Sequence, residues 1–293
     1  MNFKSLILIT NIFLLSFSGC KNVPITQDLS VNLNVMTFNV RYDNPADNEN
    51  NWKFRKEFAA EIIQKNDIDV LGTQEVLYTQ LQDILTLLPQ FTYAGVGRKD
   101  GLKAGEYSAI FYKKERFQYY DGGTFWLSEN PMAVGVKGWD ASLERIVTWV
   151  ILKEKTTGRK IAFFNTHFDH IGVVARCESA KLLIAKVEEL AKGLPFFVTG
   201  DFNSTPDSEP IKIIADISNT KHLTNTQSIA SQVSGPGWTM HNFGTTPEAS
   251  RSIIDYIFIK NSVSIKNHIT IFEMKGNVYL TDHNPVFVKA EVL

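Results

Sequence analysis

The sequence predicts an α+β fold, and three observations carry that reading. Apolar residues alternate with period two in many short segments, they recur at helical spacing in three longer ones, and the N-terminal third runs strand, helix, strand, helix. VNLNVMTFNV (31–40) alternates and is rich in Val and Phe, as a half-buried first strand should be. WKFRKEFAAEIIQKN (52–66) places Phe54, Phe58 and Ile62 along one side of a helix. IDVLGTQEV (68–76) is a short β-rich run, and an amphipathic helix is expected over 78–88. The middle is β-prone: FTYAGVG, YSAIFYKK and FQYYDGGTFWL are joined by turns containing Gly, Lys and Asp. RIVTWVILKEKTTGRKIAFFNTHFD (145–169) reads as two strands around a turn at 155–159. A helix is expected over 173–191, and LPFFVTGDF opens another strand. Further strands are expected at 252–259, 263–271 and 284–292. Loop-rich intervals fall at 97–106, 127–143 and 218–250, the last read as a surface excursion. There is no internal repeat and no low-complexity linker, so residues 31–293 are expected to form one domain.

Composition narrows the function classes. An apolar fraction of 44%, with 20 Phe, supplies ample core and excludes a disordered main body. Thirty basic against 31 acidic residues argue against a broad basic face that wraps long nucleic acid. Extended nucleic-acid binding is therefore disfavoured, while a short substrate needing few phosphate contacts stays open, and no protein partner is predicted. At the N-terminus, MNFK precedes an apolar run over 6–17 and then Ser18-Gly19-Cys20. Too short for a membrane span, this segment resembles a bacterial lipoprotein signal (1–19), followed by a polar tether (20–30). It predicts an exported protein, lipid-anchored to a membrane and facing the periplasm or cell exterior. If Cys20 is lipidated, only Cys177 remains, so no internal disulfide forms; in its apparent helix Cys177 reads as structural.

Polar groups close many of the β-prone segments. Asn39 follows VMTF, Glu75 sits in GTQE, and Asn165 and His167 follow IAFF. Asp201 and Asn203 follow PFFVTG, Asp255 lies in SIIDYIF, and Asp282-His283 precede NPVF. Groups at strand ends are positioned by a rigid sheet yet open to a ligand. Oxygen donors from Asp, Glu and Asn suit a hard cation, Mg2+ or Mn2+, and imidazoles can move protons or donate beside it. Each residue also has a structural reading: Asn39 as a turn cap, Asp255 paired with Arg251, Arg145 paired with Glu144, and Tyr107, Trp139 and Trp238 as packing.

TFNVRYD, GTQEV, NTHFDH, GDFNSTP, IDYIF and TDHNPV, in that order between Asn32 and Val292, resemble the endonuclease/exonuclease/phosphatase superfamily. GRKDGLKAGEYSAIFY (97–112) is similar to a pattern in a bacterial branch of it. The resemblance implies a four-layer α/β sandwich: two mixed β-sheets packed face to face, helices outside, and the active groups gathered at one end. It implies that Glu75 is the principal metal ligand, helped by Asn39 and Asp282. Asp201 would align or activate water, Asn203 would orient phosphate, and Asp255 would hold the ring of His283 while that ring donates to a phosphoryl oxygen. His167 would stabilise phosphate charge from the other side. Tyr107, Arg145 and His170 are candidates for substrate contact. The function expected is metal-dependent hydrolysis of a phosphate ester by direct attack of water, as a phosphodiesterase or phosphatase. The alternatives are a nuclease, a sphingomyelinase-like phospholipid hydrolase, and a non-catalytic phosphate-ligand-binding module.

Overall fold

A computed structural model describes residues 30–293. The chain begins with β1 (Val31–Asn39), α1 (Trp52–Lys65), β2 (Val70–Gln74) and α2 (Tyr78–Leu87). It continues through β3 (Phe91–Ala94), β4 (Ile110–Lys113), β5 (Phe117–Trp126), β6 (Ile146–Glu154) and β7 (Lys160–His167). Next come α3 (Val173–Ala191), β8 (Phe196–Asp201), α4 (Glu209–Ala215), β9 (Thr224–Asn225), α5 (Thr226–Ile229) and β10 (Gln232–Ser234). Last are β11 (Asp255–Lys260), β12 (Val263–Thr270), the hairpin β13 (Met274–Lys275) and β14 (Val278–Tyr279), and β15 (Val286–Val292).

Two mixed sheets result. One has seven strands in the order β10-β12-β15-β1-β2-β4-β3, the other six in the order β5-β6-β7-β8-β11-β9. Strand alternation makes the four layers. Val31, Leu33 and Val35 of β1 meet Ile161 and Phe163 of β7 and Phe197 of β8 in a core between the sheets. The opposite faces take the helices: Met36 and Phe38 pack with Phe58, Ile62 and Leu81 of α1 and α2. Phe164, Phe196 and Val198 pack with Leu183, Ile184 and Val187 of α3.

The interval 218–250 is more than a surface excursion. It contributes β9 to the edge of the six-stranded sheet and β10 to the edge of the seven-stranded one. Both strands are too short to show a period. The expectation of a membrane-anchored lipoprotein is corrected: no helix among the described residues is long and apolar enough to cross a membrane. The leader and Cys20 on which that expectation rested lie outside the described residues.

The fold positions its site through a change of polarity along the inter-sheet faces. In β1, inward positions run Val31, Leu33, Val35 and then Thr37, Asn39; in β7, Ile161, Phe163 and then Asn165, His167. In β8 they run Phe197, Thr199, Asp201, and in β2 Val70, Gly72, Gln74. An apolar floor thus gives way to a buried polar layer that ties the sheets together. Gln74 Nε2 donates to Asn165 Oδ1 (2.7 Å), Thr199 Oγ1 donates to the same oxygen (2.9 Å), and Asn165 Nδ2 donates to Thr73 O (2.7 Å). Gly72 makes the layer possible, because a Cβ there would stand 2.1 Å from Thr199 Oγ1. Above it lie Asn39, His167, Asp201 and Asp255.

Candidate active site

β1 pairs in parallel with β2, and β7 with β8, so Asn39, Glu75, His167 and Asp201 emerge at one end of the sandwich. The neighbouring antiparallel strands β6, β11 and β15 begin at that end, which brings in Arg145, Asp255 and Asp282-His283. Strand register sets the finer geometry: Asp201 is flanked by His167 on one side and by Asp255 on the other. Glu75 directly follows β2 with a left-handed backbone (φ 63°), and Asn203 follows β8 in the same conformation (φ 46°). In both, the chain turns sharply as it leaves the sheet and the polar side chain stays at the strand end.

Two groups of side chains face one another across the seam. On the seven-stranded side, Asn39 Nδ2 donates to Glu75 Oε1 (3.1 Å) and reaches across to Asp201 Oδ2 (3.0 Å). The backbone N–H of Tyr42 donates to Glu75 Oε2 (3.1 Å), and Arg41 Nε lies 3.8 Å from Asp282 Oδ2. Burial, reinforced by Glu75, pushes the Asp282 carboxyl up although His283 and Arg41 pull it down. His283, carried with Asp282 before β15, reaches across to the six-stranded side, its Nδ1 2.9 Å from Asp255 Oδ2 and 3.8 Å from Asp201 Oδ2. Burial disfavours its imidazolium, but Asp255 and Asp201 outweigh burial and hold the ring protonated well above the ordinary histidine range. Asp201 is pushed up to about 7 by burial and by repulsion from Asp255.

His167 takes the opposite state. Burial, then Arg145 and Arg98, drive its imidazolium well below the ordinary range. Asn203 Nδ2 donates to Phe168 O (2.9 Å) and lies 3.0 Å from His167 Nε2, so that nitrogen accepts and the ring proton sits on Nδ1. His170 is also held neutral, by burial and then by Arg145, whose Nη2 donates to His170 Nδ1 (2.9 Å). Arg145 pairs with Asp169 (3.3 Å) rather than with Glu144, and its Nη1 is buried without a partner among the described residues. Asp169 also accepts from Ser142 Oγ and from the backbone N–H groups of Leu143, Ile171 and Gly172. Burial pushes its carboxyl up, but these bonds and Arg145 outweigh burial and hold it far below the usual range.

A cavity of about 420 Å³ opens over these groups. Its walls include Glu75, Asp282, Asp201, Asn203, His167 and His283, with Arg145 and His170 beside them. Asn39 and Asp255 stand behind the walls, buried at 1% and 3% exposure, and act through Glu75, Asp201 and His283. Tyr107 is corrected as a candidate for substrate contact: it is not part of this wall, and its buried hydroxyl donates to Leu102 O (3.0 Å). Asp255 does not pair with Arg251, which stacks on Trp238 (4.3 Å). Sequence reasoning missed Arg41, Tyr42, Glu106 and Met240, all of which line the cavity. Arg41 and Tyr42 carried a signal, being part of TFNVRYD; Met240 carried none.

The donor set fits a divalent cation. The carboxylates of Glu75, Asp282 and Asp201 converge on one cavity, and behind it ligand atoms of Asp201, Asp255 and His283 lie within 4.8 Å of one another. A sequence profile described as the Endonuclease/Exonuclease/phosphatase family matches residues 36–283. The chain belongs to this family.

Solved structures within the family agree over nearly the whole chain. A Bacteroides vulgatus endonuclease/exonuclease/phosphatase is 40% identical with a TM-score of 0.86, over 90% of this chain and all of that one. A Bacteroides thetaiotaomicron mannosyl-6-phosphatase is 37% identical with a TM-score of 0.80, over 88% of this chain and 99% of that one. Among curated proteins, the chain is 26% identical over 172 residues to Protein angel of Drosophila melanogaster, 56% of this chain and 47% of that protein. It therefore spans about half the length of that relative. The family fold and the clustered Asp/Asp/His site are consistent with a metal-dependent phosphoesterase.

Proposed function

We propose that this chain is a metal-dependent phosphomonoesterase that hydrolyses a sugar phosphate by direct attack of water. The observation that carries the reading is the seam: carboxylates that suit a cation on one sheet face histidine, Asp201 and Asn203 on the other, across a cavity of small-molecule size. The similarity to a mannosyl-6-phosphatase, spread over nearly the full length of both chains, supports a monoester of a sugar as the substrate class.

In this reading Glu75 and Asp282 hold the divalent ion, Mg2+ or Mn2+, and Asn39 positions the Glu75 carboxylate. His283 already occupies the space between Asp201 and Asp255, so the carboxylates not paired to an imidazolium are the ones left for metal. Held there, the ion would supply Lewis-acid polarisation of the phosphate and compensation for charge on the departing oxygen. Asp201, poised near neutrality, aligns the attacking water and takes its proton as the bond to phosphorus forms. His283, kept protonated by Asp255, turns Nε2 toward a nonbridging oxygen, and Asn203 orients the phosphate. His167 meets the phosphate from the far side as a neutral ring, so its part is shape and dipole rather than full charge. Arg145, fixed by Asp169, brings a permanent cation to the substrate.

Phosphate release from a hexose 6-phosphate, with magnesium or manganese and then with chelator, tests the proposal. Metal-restored release, with much slower cleavage of a dinucleotide diester, is the expected result. Diester cleavage faster than phosphate release from every monoester would overturn the phosphatase assignment. A folded, metal-loaded protein that turns over nothing would favour the binding module.

A further inference from the structure

The loop GRKDGLKAGE is far more constrained than a connection between strands requires. Gly97 N donates to Leu102 O, Lys99 N to Ala104 O and Arg98 N to Glu106 O, at 3.0 to 3.1 Å. Asp100 Oδ1 accepts from the backbone N–H groups of Leu102 and Ala104. Trp126 Nε1 pins the loop from outside by donating to Arg98 O (2.8 Å), and Gly105 turns it with φ +85°. Its last residue, Glu106, enters the wall of the active-site cavity. There Arg98 Nη2 donates to Glu106 Oε1 (2.8 Å), a pair whose arginine is nearly buried and whose glutamate keeps 19% exposure. Among the described residues nothing bonds Glu106 Oε2.

A held carboxylate with one free oxygen is an acceptor for hydroxyl groups and a barrier to anions. A donor stands in the same wall: the ring proton of neutral His170 sits on Nε2 because its Nδ1 accepts from Arg145. A leaving group with several hydroxyls satisfies acceptor and donor together. A leaving group with a second phosphate would meet the carboxylate.

We propose that Glu106, held by Arg98 at the wall of the cavity, receives hydroxyl groups of the leaving group and selects polyhydroxylated phosphate monoesters. The inference rests on the phosphatase reading for its reaction and adds the residue that sets its substrate. Glu106→Gln is the informative change, since its amide oxygen can still accept from Arg98 while the free acceptor oxygen becomes a donor. The ratio of kcat/KM for hexose 6-phosphate to that for phenyl phosphate is expected to fall about tenfold to a hundredfold. Glu106→Ala should lower it at least as far. Calorimetry on the chelator-treated protein, with the same two esters, reads the preference without turnover and should show the same loss. A ratio unchanged within about twofold in both measurements would overturn the assignment. If neither ester is hydrolysed but the calorimetric preference for the sugar ester disappears in Glu106→Gln, the phosphatase reading fails and the hydroxyl site stands.

Discussion

The two sheets contribute different chemistry to one cavity. The seven-stranded sheet ends in Asn39, Glu75 and, before β15, Asp282, oxygen-rich groups near the guanidinium of Arg41, and in His283, whose ring is paired across the seam with Asp255. The six-stranded sheet ends in His167, Asp201 and Asp255, with Arg145 leading into β6, and there imidazoles and a guanidinium are interleaved with acids. The first set suits a cation and the second suits an anion bound to that cation. The difference teaches that the site is made by face-to-face packing: in the proposed reading, a metal-bound phosphate would complete a charge pattern that each sheet only half supplies.

If that division holds, equivalent changes on the two sides should fail differently. Asp201→Asn removes the carboxylate proposed to take the water proton while keeping its shape. A loss of kcat of about a thousandfold or more is expected at saturating metal. Steady-state kinetics over a metal titration checks it, and an activity restored by extra metal would move Asp201 to the cation side. Glu75→Gln should show the converse, with the metal concentration for half-maximal activity rising about tenfold or more.

Arg145→Ala is expected to cost about tenfold to a hundredfold in kcat/KM, because it removes a cation and strands the buried Asp169. Arg145→Lys should recover little, since one ammonium cannot serve Asp169, His170 and a ligand together. Full recovery with lysine would reduce Arg145 to a charge.

Smaller effects test the framework beneath the seam. Gly72→Ala forces a methyl against Thr199 Oγ1 and should destabilise the fold by about 1–3 kcal/mol in chemical denaturation. His268 of β12 is a control remote from the cavity wall. Thr226 Oγ1 donates to Ile257 O, so His268 Nδ1 donates to that hydroxyl, and burial holds the ring down at about 4 against 6.5 unfolded. With the folded value lowered, the unfolded chain binds the extra proton first. Stability is complete above pH 6.5 and is lost as pH falls toward 4, by up to about 3 kcal/mol. His268→Gln should flatten that part of the pH dependence in denaturant titrations.

Most of the framework was legible because alternation is strong where one face packs on helices and the other on a second sheet. VNLNVMTFN and KIAFFNTH even carry the switch from apolar to polar inward positions that marks the site end. What escaped has physical reasons. β9 has two residues, and its pairing with β11 leaves no periodic trace. Arg145 and Glu144 are adjacent, and neighbours in an extended segment point to opposite faces, so sequence proximity was a poor guide to the partner of Arg145, which is Asp169. Of the two readings open for Tyr107, the packing one matches its place in the loop, its hydroxyl being spent on Leu102 O while Glu106 faces the cavity. The ring states of His167 and His283 depend on burial and on partners from other strands, which no local pattern records.

The division between the sheets is tested most directly by calorimetric titration of magnesium or manganese into the intact protein, Glu75→Gln and His167→Ala. The account predicts metal binding weakened at least about tenfold by Glu75→Gln and nearly unchanged by His167→Ala. Equal weakening by both, or none by Glu75→Gln, would contradict it.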